Sequence, residues 1–566
     1  MQALDQLLHQ YWGYPHFRPL QKEIILSVLQ GQDTLAVLPT GGGKSLTYQL
    51  SGLVLEGLTL VISPLIALME DQVADLLRRG IPATAINSQL SPEETWARLN
   101  DCLGGHYRFL YMSPERLDSQ LMRQLLPQLP IRLLAVDEAH CISQWGYDFR
   151  PAYRKVQQIR PYLQAPVLAL TATATAEVRR DIARQLQLRK PRVHLQSFAR
   201  PNLSFALQYT EHKAQALPAL LRPDECALVY VRSRKGAEQA ARYLQAQGYR
   251  AEAYHAGLAA ARRSELQQAW MRNELPILCA TTAFGMGIDK PDVRTVVHWQ
   301  LPAELESYYQ EAGRAGRDQL PARAIALLGP DEPARMWQFL HMQHPPVEQV
   351  QALYEALCAH YRISNVQAPA RDYPLDWELI SLQADLPQLA CHAGLQALAQ
   401  QGYLAYQEQA GPNPQVQFRM AATRLTQWKL EYPQYLPTLD GLLRLLGGEL
   451  FERPLPLELK ALAKACEQSK AETETLLIRL DALGVLHYLP GAQGPGLRFL
   501  RPYTPLVDTD PAWQAYAHRR HQAEVRLQAV LDYAANTTLC RQRQISAYFG
   551  EELTTNCGRC DLCHSD

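Results

Sequence analysis

The sequence predicts an α/β protein with two parallel-sheet domains, then a mostly helical region and a small cysteine-rich module at the C-terminal end. Three observations support this prediction. The chain has 566 residues, which is too long for one hydrophobic core. Between residues 30 and 330, short apolar runs alternate with polar, helical stretches. Four of the eleven cysteines fall within the segment Cys540–Cys563.

The composition fits a folded protein outside the membrane. Apolar residues make up 47% of the chain and charged residues 20%, as in ordinary soluble domains. Lys plus Arg and Asp plus Glu balance at 56 each, which argues against a histone-like cationic protein but allows a locally basic groove. Met1–Gln10 contains Asp5 and lacks the basic start and apolar run of a secretion signal. We expect no membrane segment and a cytoplasmic, nucleoid-associated protein of bacterial type.

The apolar runs fall into two groups, at 34–38, 58–62, 133–136 and 167–170, and at 227–231, 277–280 and 293–298. Near-continuous apolar strands separated by helices indicate parallel sheets that are buried on both faces. The gap between the groups predicts one domain over 1–205 and a second over 206–335. In such sheets the functional groups lie at the carboxyl ends of the strands.

A glycine-rich loop follows the first strand and precedes a predicted helix. Its backbone N–H groups can wrap a phosphate, Lys44 can reach the β and γ oxygens, and Ser45 can ligate Mg²⁺. The usual first glycine of this pattern is replaced by Leu38. Alone, the loop could also be a glycine-rich turn with a chance Lys-Ser pair. The candidate ATP-binding residues are Thr40, Gly41, Gly42, Gly43, Lys44 and Ser45.

A pair of carboxylates, Asp137 and Glu138, follows another apolar strand. Asp137 can hold Mg²⁺ directly or through water, and Glu138 can orient and deprotonate an attacking water. Two carboxylates at a strand end are usually an ordinary polar edge. Their position after a phosphate loop favours the catalytic interpretation.

These motifs together resemble those of superfamily 2 helicases, and their detailed residue pattern resembles that of the RecQ family. The segment Trp12–Gln21 is similar to the adenine-recognition motif of that family. The resemblance implies that Tyr14 stacks on the base and that Arg18 and Gln21 contact the adenine. Without the phosphate loop behind it, this segment could equally be a helix-capping turn.

The segment Cys141–Pro151, directly after His140, resembles the aromatic-rich loop with which RecQ proteins sense DNA. Aromatic faces stack on bases without sequence preference, at about 1–3 kcal/mol per base. The alternative is that Trp145 and Phe149 belong to the core. The resemblance implies the DNA-contacting residues His140, Gln144, Trp145, Phe149 and Arg150.

The second domain carries two further segments that resemble the family. In Ala283–Pro291, Asp289 would contact the ribose. Gln310–Asp318 resembles the arginine-finger motif, which implies that Arg314 and Arg317 reach the γ-phosphate bound by the first domain, with Gln310 as a further catalytic candidate. The resemblance therefore implies two RecA-like lobes that share one ATP, and 3′→5′ movement along single-stranded DNA.

The cysteine cluster consists of Cys540, Cys557, Cys560 and Cys563. Four thiolates can close a structural Zn²⁺ site, whereas the CxxCxxC run alone could also suggest an iron–sulfur cluster. The spacing and the intervening Tyr548–Glu551 resemble the RecQ zinc module, which we expect over 511–566.

The order of the C-terminal modules departs from the familiar RecQ arrangement, because a long insert separates the second lobe from the cysteines. Two helix–Gly–strand patterns recur in it and predict two winged-helix-like units, over 336–445 and 446–510, with β-hairpins at 403–420 and 485–500. The alternative is a helical spacer. A wing could separate the duplex, with His487, Tyr488 or the turn at 491–496 as candidates.

The sequence therefore predicts an ATP-dependent DNA helicase that acts in repair or recombination, with ATP, Mg²⁺ and Zn²⁺ as cofactors and single-stranded and duplex DNA as partners. Three alternatives remain: a translocase that does not separate strands, a DNA clamp that uses ATP only as a switch, and an RNA helicase. The motor motifs do not discriminate between the first alternative and a helicase.

Overall fold

The computed structural model describes residues 2–143, 149–285, 288, 290–366, 372–407, 414–489, 496–506 and 510–563. The chain divides into two compact units, Met1–Trp337 with His521–Asp566, and Gln338–Arg520. The first unit contains both predicted α/β domains and the cysteine cluster.

The first domain is built on a seven-stranded parallel sheet with the strand order β3-β4-β2-β5-β6-β1-β7. Most of these strands are buried along their whole length, as their apolar sequences predict, whereas the edge strand β7 is largely exposed. The strands are β1 (Thr34–Val37), β2 (Leu58–Ile62), β3 (Ala83–Ile86), β4 (Phe109–Met112), β5 (Ile131–Val136), β6 (Val167–Thr171) and β7 (Arg192–Leu195). The helices are α1 (Gln2–Trp12), α2 (Gln21–Leu29), α3 (Lys44–Val54), α4 (Ile66–Arg78), α5 (Pro92–Leu103), α6 (Gln120–Leu125), α7 (Lys155–Ile159) and α8 (Ala176–Gln185).

The second domain is built on a six-stranded parallel sheet with the order β10-β11-β9-β12-β13-β8. The strands are β8 (Leu203–Tyr209), β9 (Ala227–Tyr230), β10 (Ala251–Tyr254), β11 (Ile277–Ala280), β12 (Thr295–His298) and β13 (Ala322–Leu328). The helices are α9 (Lys213–Leu220), α10 (Arg234–Ala246), α11 (Ala260–Met271), α12 (Leu305–Ala312) and α13 (Glu332–Gln343). Two parallel-sheet domains are thus confirmed.

The boundary expected at residue 205 falls inside a strand. Phe205 pairs with Ala324 in the second sheet, so the second domain begins at Leu203 and the connecting segment is 196–202. The edge strand β8 was not recognised because its buried and half-buried residues alternate, unlike the continuous apolar runs of the inner strands.

The second unit contains helices around two small antiparallel sheets with the orders β14-β19-β15 and β17-β16-β18. The strands are β14 (Tyr373–Pro374), β15 (Leu404–Gln407), β16 (Gln415–Phe418), β17 (Leu455–Pro456), β18 (Leu486–Leu489) and β19 (Gly496–Phe499). The helices are α14 (Val347–Tyr361), α15 (Trp377–Ala384), α16 (Gln388–Gln400), α17 (Ala422–Glu431), α18 (Leu436–Leu446), α19 (Leu459–Ala465) and α20 (Lys470–Ala482).

The strand pairing in this unit differs from the two expected hairpins. Strand β15 pairs with β19, with Leu404 opposite Phe499, and β16 pairs with β18. Each sheet has its own apolar core, one containing Leu404 and Phe499 and the other containing Leu442 and Leu477. The ranges 336–445 and 446–510 are therefore wrong as separate units, because the second folded body lies within the chain between β15 and β19.

The residues predicted to separate the duplex differ in their burial and surroundings in the structure. Tyr488 is 3% exposed and belongs to the second apolar core, so the prediction that it forms a separating wedge is wrong. His487 lies on β18, where its Nδ1 is 2.9 Å from the guanidinium of Arg419. Most of the turn at 491–496 lies outside the described residues.

The chain ends with α21 (Pro511–Ala535), α22 (Arg541–Tyr548) and the cysteine cluster. Among the described residues, every helix is too short or too polar to cross a membrane.

Candidate active site

The phosphate loop lies between β1 and α3, as the sequence predicts. Gly41 and Gly43 have φ of 80° and 75°, a conformation that favours glycine. The loop closes with a bond from the Gly42 N–H to the Pro39 carbonyl at 2.8 Å. Helix α3 begins at Lys44, so its N-terminal N–H groups face the space in which a phosphate would bind.

The two acidic residues follow β5 at the same edge of the sheet. Burial raises the pKa of the Asp137 carboxyl to about 7, the charge of Glu138 adds to the rise, and the Lys44 ammonium opposes it. Glu138 has φ of 46°, and its N–H donates to Asp137 Oδ1 at 3.0 Å. The structure therefore brings Lys44 and both carboxylates together.

His140 joins this acidic pair to the next strand. Its Nδ1 lies 3.3 Å from Glu138 Oε2 and 2.9 Å from Thr171 Oγ1, at the end of β6. The ring is 0% exposed, so it has no surface with which to contact DNA. The predicted DNA contact of His140 is wrong for this conformation, and its position links Glu138 to Thr171.

The aromatic-rich loop is described only in part. Arg150 donates to the Pro64 carbonyl at 3.2 Å, and the Arg154 guanidinium lies 5.2 Å from the ring centre of Phe149. Phe149 and Arg150 are both half-buried. Gln144 and Trp145 lie outside the described residues.

The predicted adenine-recognition residues reach the phosphate loop. Arg18 donates from its guanidinium to the Gly41 carbonyl. The Gln21 amide donates to the carbonyls of Gly42 and Gly43 at 3.3 and 3.1 Å, and its Oε1 accepts from the Arg18 N–H at 2.8 Å. Tyr14 is 48% exposed, which leaves its ring available for stacking.

The arginine motif of the second domain lies against the phosphate loop of the first. A carbon added at Cα of Gly41 would be 3.0 Å from Cγ of Arg317, and one added at Gly313 would be 3.4 Å from Thr40 Oγ1. The Arg317 guanidinium donates to the Ile288 carbonyl at 2.6 Å. The two domains thus meet where the sequence expects a shared nucleotide.

The other predicted residues of the second domain lie nearby or outside the described chain. Arg314 is 5% exposed and approaches Gly285, because a carbon added there would be 3.1 Å from its Nη2. Gln310 is 7% exposed on α12. Asp289 lies outside the described residues.

Sequence reasoning missed the segment 196–202 that joins the two domains. Its Gln196 N–H donates to the Val37 carbonyl at 3.0 Å, beside the phosphate loop. Arg200 donates to the carbonyls of Gly313, Ala315 and Gly316 at 3.3, 3.0 and 3.4 Å. The Asn202 amide donates to the Gly316 carbonyl at 2.7 Å. The linker therefore holds the turn that carries Arg314 and Arg317. In the sequence, the one signal for this linker was Pro201, which lies at a domain boundary.

The four predicted zinc ligands converge. Sulfur atoms of Cys540, Cys557, Cys560 and Cys563 all lie within 4.8 Å of one another. Cys560 Sγ is 3.3 Å from Cys563 Sγ and 3.9 Å from Cys540 Sγ. A tetrahedral site with Zn–S bonds of about 2.3 Å places its sulfurs about 3.8 Å apart, so the set fits zinc.

Hydrogen bonds favour the thiolate form of one of the four cysteines, whereas burial raises the pKa of Cys557 and raises that of Cys560 to about 12. Although burial opposes ionisation, donors led by the Cys557 N–H, 3.3 Å away, lower the pKa of Cys540 to about 7. A thiolate is the form that binds metal.

Four family models match the chain. They are described as DEAD/DEAH box helicase over 18–182, Helicase conserved C-terminal domain over 212–319, RecQ helicase winged-helix domain, Bacteroidota, over 416–490, and RecQ zinc-binding over 504–564. The winged-helix match coincides with the body around β17-β16-β18. It also precedes the zinc module, which confirms the unusual module order.

Curated relatives match about three fifths of this chain. The chain is 43% identical over 357 residues to the probable ATP-dependent DNA helicase RecS of Bacillus subtilis, covering 62% of this chain and 72% of that protein. It is 43% identical over 339 residues to the ATP-dependent DNA helicase RecQ of Synechocystis, covering 58% and 71%. For RecQ of Pasteurella multocida, 43% identical over 356 residues, the shares are 62% and 56%, so the chain matches little more than half of that relative.

Among solved structures, Mss116p bound to ssRNA and AMP-PNP resembles the fold with a TM-score of 0.50 at 16% identity. The match covers 60% of this chain and 75% of that one. At this identity the likeness concerns the fold alone.

Proposed function

Since the chain belongs to the RecQ family of ATP-dependent DNA helicases, we propose that it hydrolyses ATP between its two α/β domains. Each cycle of closure and opening moves it 3′→5′ along one DNA strand and separates the duplex ahead. Its role is in DNA repair or recombination. The polarity rests on the family resemblance.

The contact between Arg317 and Gly41 carries this proposal. The two residues lie on different domains and 3.0 Å separates the Arg317 Cγ from a carbon built on Gly41. A phosphate in the loop would therefore lie within reach of a guanidinium from the other domain. Guanidinium groups placed in this way stabilise the charge of the transition state and contribute about 10³–10⁵ in rate.

In the proposed mechanism, Tyr14, Arg18 and Gln21 bind the adenine, Asp289 contacts the ribose, and the glycine loop with Lys44 binds the phosphates. Glu138 orients the attacking water and accepts its proton. Gln310, Arg314 and Arg317 complete the site from the second domain.

Ser45 and Asp137 would hold a magnesium ion, whose charge neutralises the phosphate oxygens. Asp137 fits this role because a buried carboxyl whose pKa is raised to about 7 is stabilised in its ionised form by a divalent cation. Zinc in the cysteine cluster would contribute folding energy, since it would join Cys540 to the segment that carries Cys557, Cys560 and Cys563.

DNA binding is coupled to hydrolysis through His140. The Glu138–His140–Thr171 contacts join the catalytic base to the segment that leads into the aromatic-rich loop. Gln144, Trp145, Phe149 and Arg150 are the proposed contacts to single-stranded DNA, while the winged-helix region would face the duplex.

A strand-displacement assay tests this function. Duplexes with a 3′ overhang, a 5′ overhang or blunt ends are incubated with ATP and Mg²⁺, with Lys44→Ala as the matched inactive variant. We expect displacement of the 3′-overhang substrate alone, and only with ATP. DNA-stimulated hydrolysis without displacement would instead identify a translocase or an ATP-switched clamp.

A further inference from the structure

The segment 196–202 contacts different parts of the molecule with alternate residues. Gln196 lies beside the phosphate loop, while Arg200 and Asn202 hold the arginine-bearing turn. Phe198 lies between these contacts along the chain, two residues after Gln196 and two before Arg200. Contacts that fix the position of Phe198 therefore also restrain the path of the linker between the two halves of the nucleotide site.

Phe198 is held by the zinc module. Its ring stacks on Phe549 with centroids 4.4 Å apart and planes at 13°, and its N–H donates to Glu551 Oε2 at 2.7 Å. Its carbonyl accepts from the hydroxyl of Tyr309 at 2.9 Å. Phe198, Phe549 and Tyr309 are each at most 4% exposed, so the ring stacking and the Tyr309 bond are shielded from water, while Glu551 is half-buried.

The zinc module also reaches both domains. On the first domain, Arg179 donates to the Phe549 carbonyl at 3.3 Å and to the Ala174 carbonyl at 2.8 Å. On the second domain, the Asp561 N–H donates to the Phe205 carbonyl at 3.2 Å, and Tyr548 donates to Glu306 Oε1 at 2.8 Å. The module therefore has a fixed position from which to hold the linker.

The zinc centre and the linker contacts lie at opposite ends of one short helix. Cys540 is the N-cap of α22, and Phe549 follows its last residue. Phe549 is also bonded through its N–H to the carbonyls of Ile545 and Ser546 at 3.3 and 3.1 Å. Binding of the metal thereby fixes the helix whose end meets Phe198.

We infer that Phe549 and Glu551 of the zinc module are positioning residues for ATP hydrolysis. They hold Phe198, and through it the linker, in the conformation that brings the arginine-bearing turn to the phosphate loop. This inference rests on the proposed function. It assigns the zinc module a part in catalysis in addition to folding.

The test compares three variants of the full chain: Glu551→Ala, Glu551→Gln, whose amide oxygen can still accept the Phe198 N–H, and Tyr209→Phe. Tyr209 donates to the Ala534 carbonyl at 2.8 Å, so its variant removes a contact between the second domain and α21 in which no linker residue takes part. The steady-state kcat and KM for ATP are measured with saturating single-stranded DNA, together with zinc content and Tm.

We expect Glu551→Ala to lower the DNA-stimulated kcat about tenfold, with one zinc per chain and an unchanged KM for ATP. Glu551→Gln should restore kcat, and Tyr209→Phe should leave it unchanged. A wild-type kcat in Glu551→Ala, or an equal loss in Tyr209→Phe, would overturn the inference. Should Glu551→Ala fail to fold, Phe549→Leu decides by the same criteria.

The same experiment separates this inference from the proposed function. If the wild-type chain lacks DNA-stimulated ATP hydrolysis, the proposed function fails. If the wild-type chain is active and Glu551→Ala matches it, only the positioning role fails.

Discussion

Arg317 packs its aliphatic stem against Gly41 across the interface of the two α/β domains, with a 3.0 Å approach of its Cγ to a carbon built on that glycine. Gly41 has φ of 80°, so both its backbone conformation and its neighbour disfavour a side chain. The guanidinium is meanwhile held by the Ile288 carbonyl. The proposed catalytic residues of both domains thus lie around one glycine-rich loop.

Replacement of Arg200 should slow hydrolysis without weakening nucleotide binding. Arg200→Ala removes the donors to Gly313, Ala315 and Gly316 and so frees the arginine-bearing turn. Because a displacement of about 1 Å can cost about 10²-fold in rate, we expect a loss of kcat of that order. Arg323→Ala is the control, since the Arg323 side chain bonds the Leu220 carbonyl and Thr295 Oγ1 and not the arginine-bearing turn. Equal effects of the two variants would refute the positioning role of Arg200.

Trp145→Ala should uncouple ATP hydrolysis from DNA. The variant removes the ring that we propose to stack on bases, while Lys44, Asp137 and Glu138 are unchanged. We expect unchanged binding of a fluorescent ATP analogue and loss of stimulation by single-stranded DNA. Full stimulation in this variant would exclude Trp145 as the sensor.

Cys560→Ser should lose zinc and thermal stability, because Cys560 Sγ lies within 3.9 Å of Cys540 Sγ and 3.3 Å of Cys563 Sγ. Metal content by atomic emission and Tm by calorimetry measure both effects. Cys466→Ser is a matched control, since Cys466 is also buried but lies outside the cluster. A full zinc content in Cys560→Ser would contradict the ligand assignment.

The sequence predicted the parts of the fold that depend on local pattern. Continuous apolar runs such as Leu58–Ile62 can be recognised as buried strands from the sequence alone. Polar residues that follow such strands, for example Lys44 and Asp137, lie close together because parallel strands end at one edge of the sheet. The cysteine set was equally readable, since the spacing of its last three members is itself the signal.

Long-range pairing could not be predicted in the same way. Each helix–Gly–strand pattern in the insert indicates a strand but not its partner. Leu404 pairs with Phe499 although the whole second folded body lies between them in the sequence. The burial of individual side chains could not be predicted from the sequence either. His140 directly precedes the segment that resembles a DNA-sensing loop, yet its ring is buried and contacts Glu138 and Thr171. The contact of Arg200 with Gly313 joins residues that are far apart in the chain, and no local pattern marks it.

The most direct test of the shared nucleotide site is the rate of DNA-stimulated ATP hydrolysis by Arg317→Ala, measured beside its affinity for a non-hydrolysable ATP analogue. We expect kcat to fall by about 10³ or more while the affinity stays within about threefold of wild type, because the loop around Gly41 and Lys44 is left intact. A kcat equal to that of the wild-type chain would show that the second domain does not act on the bound triphosphate, and would contradict the account.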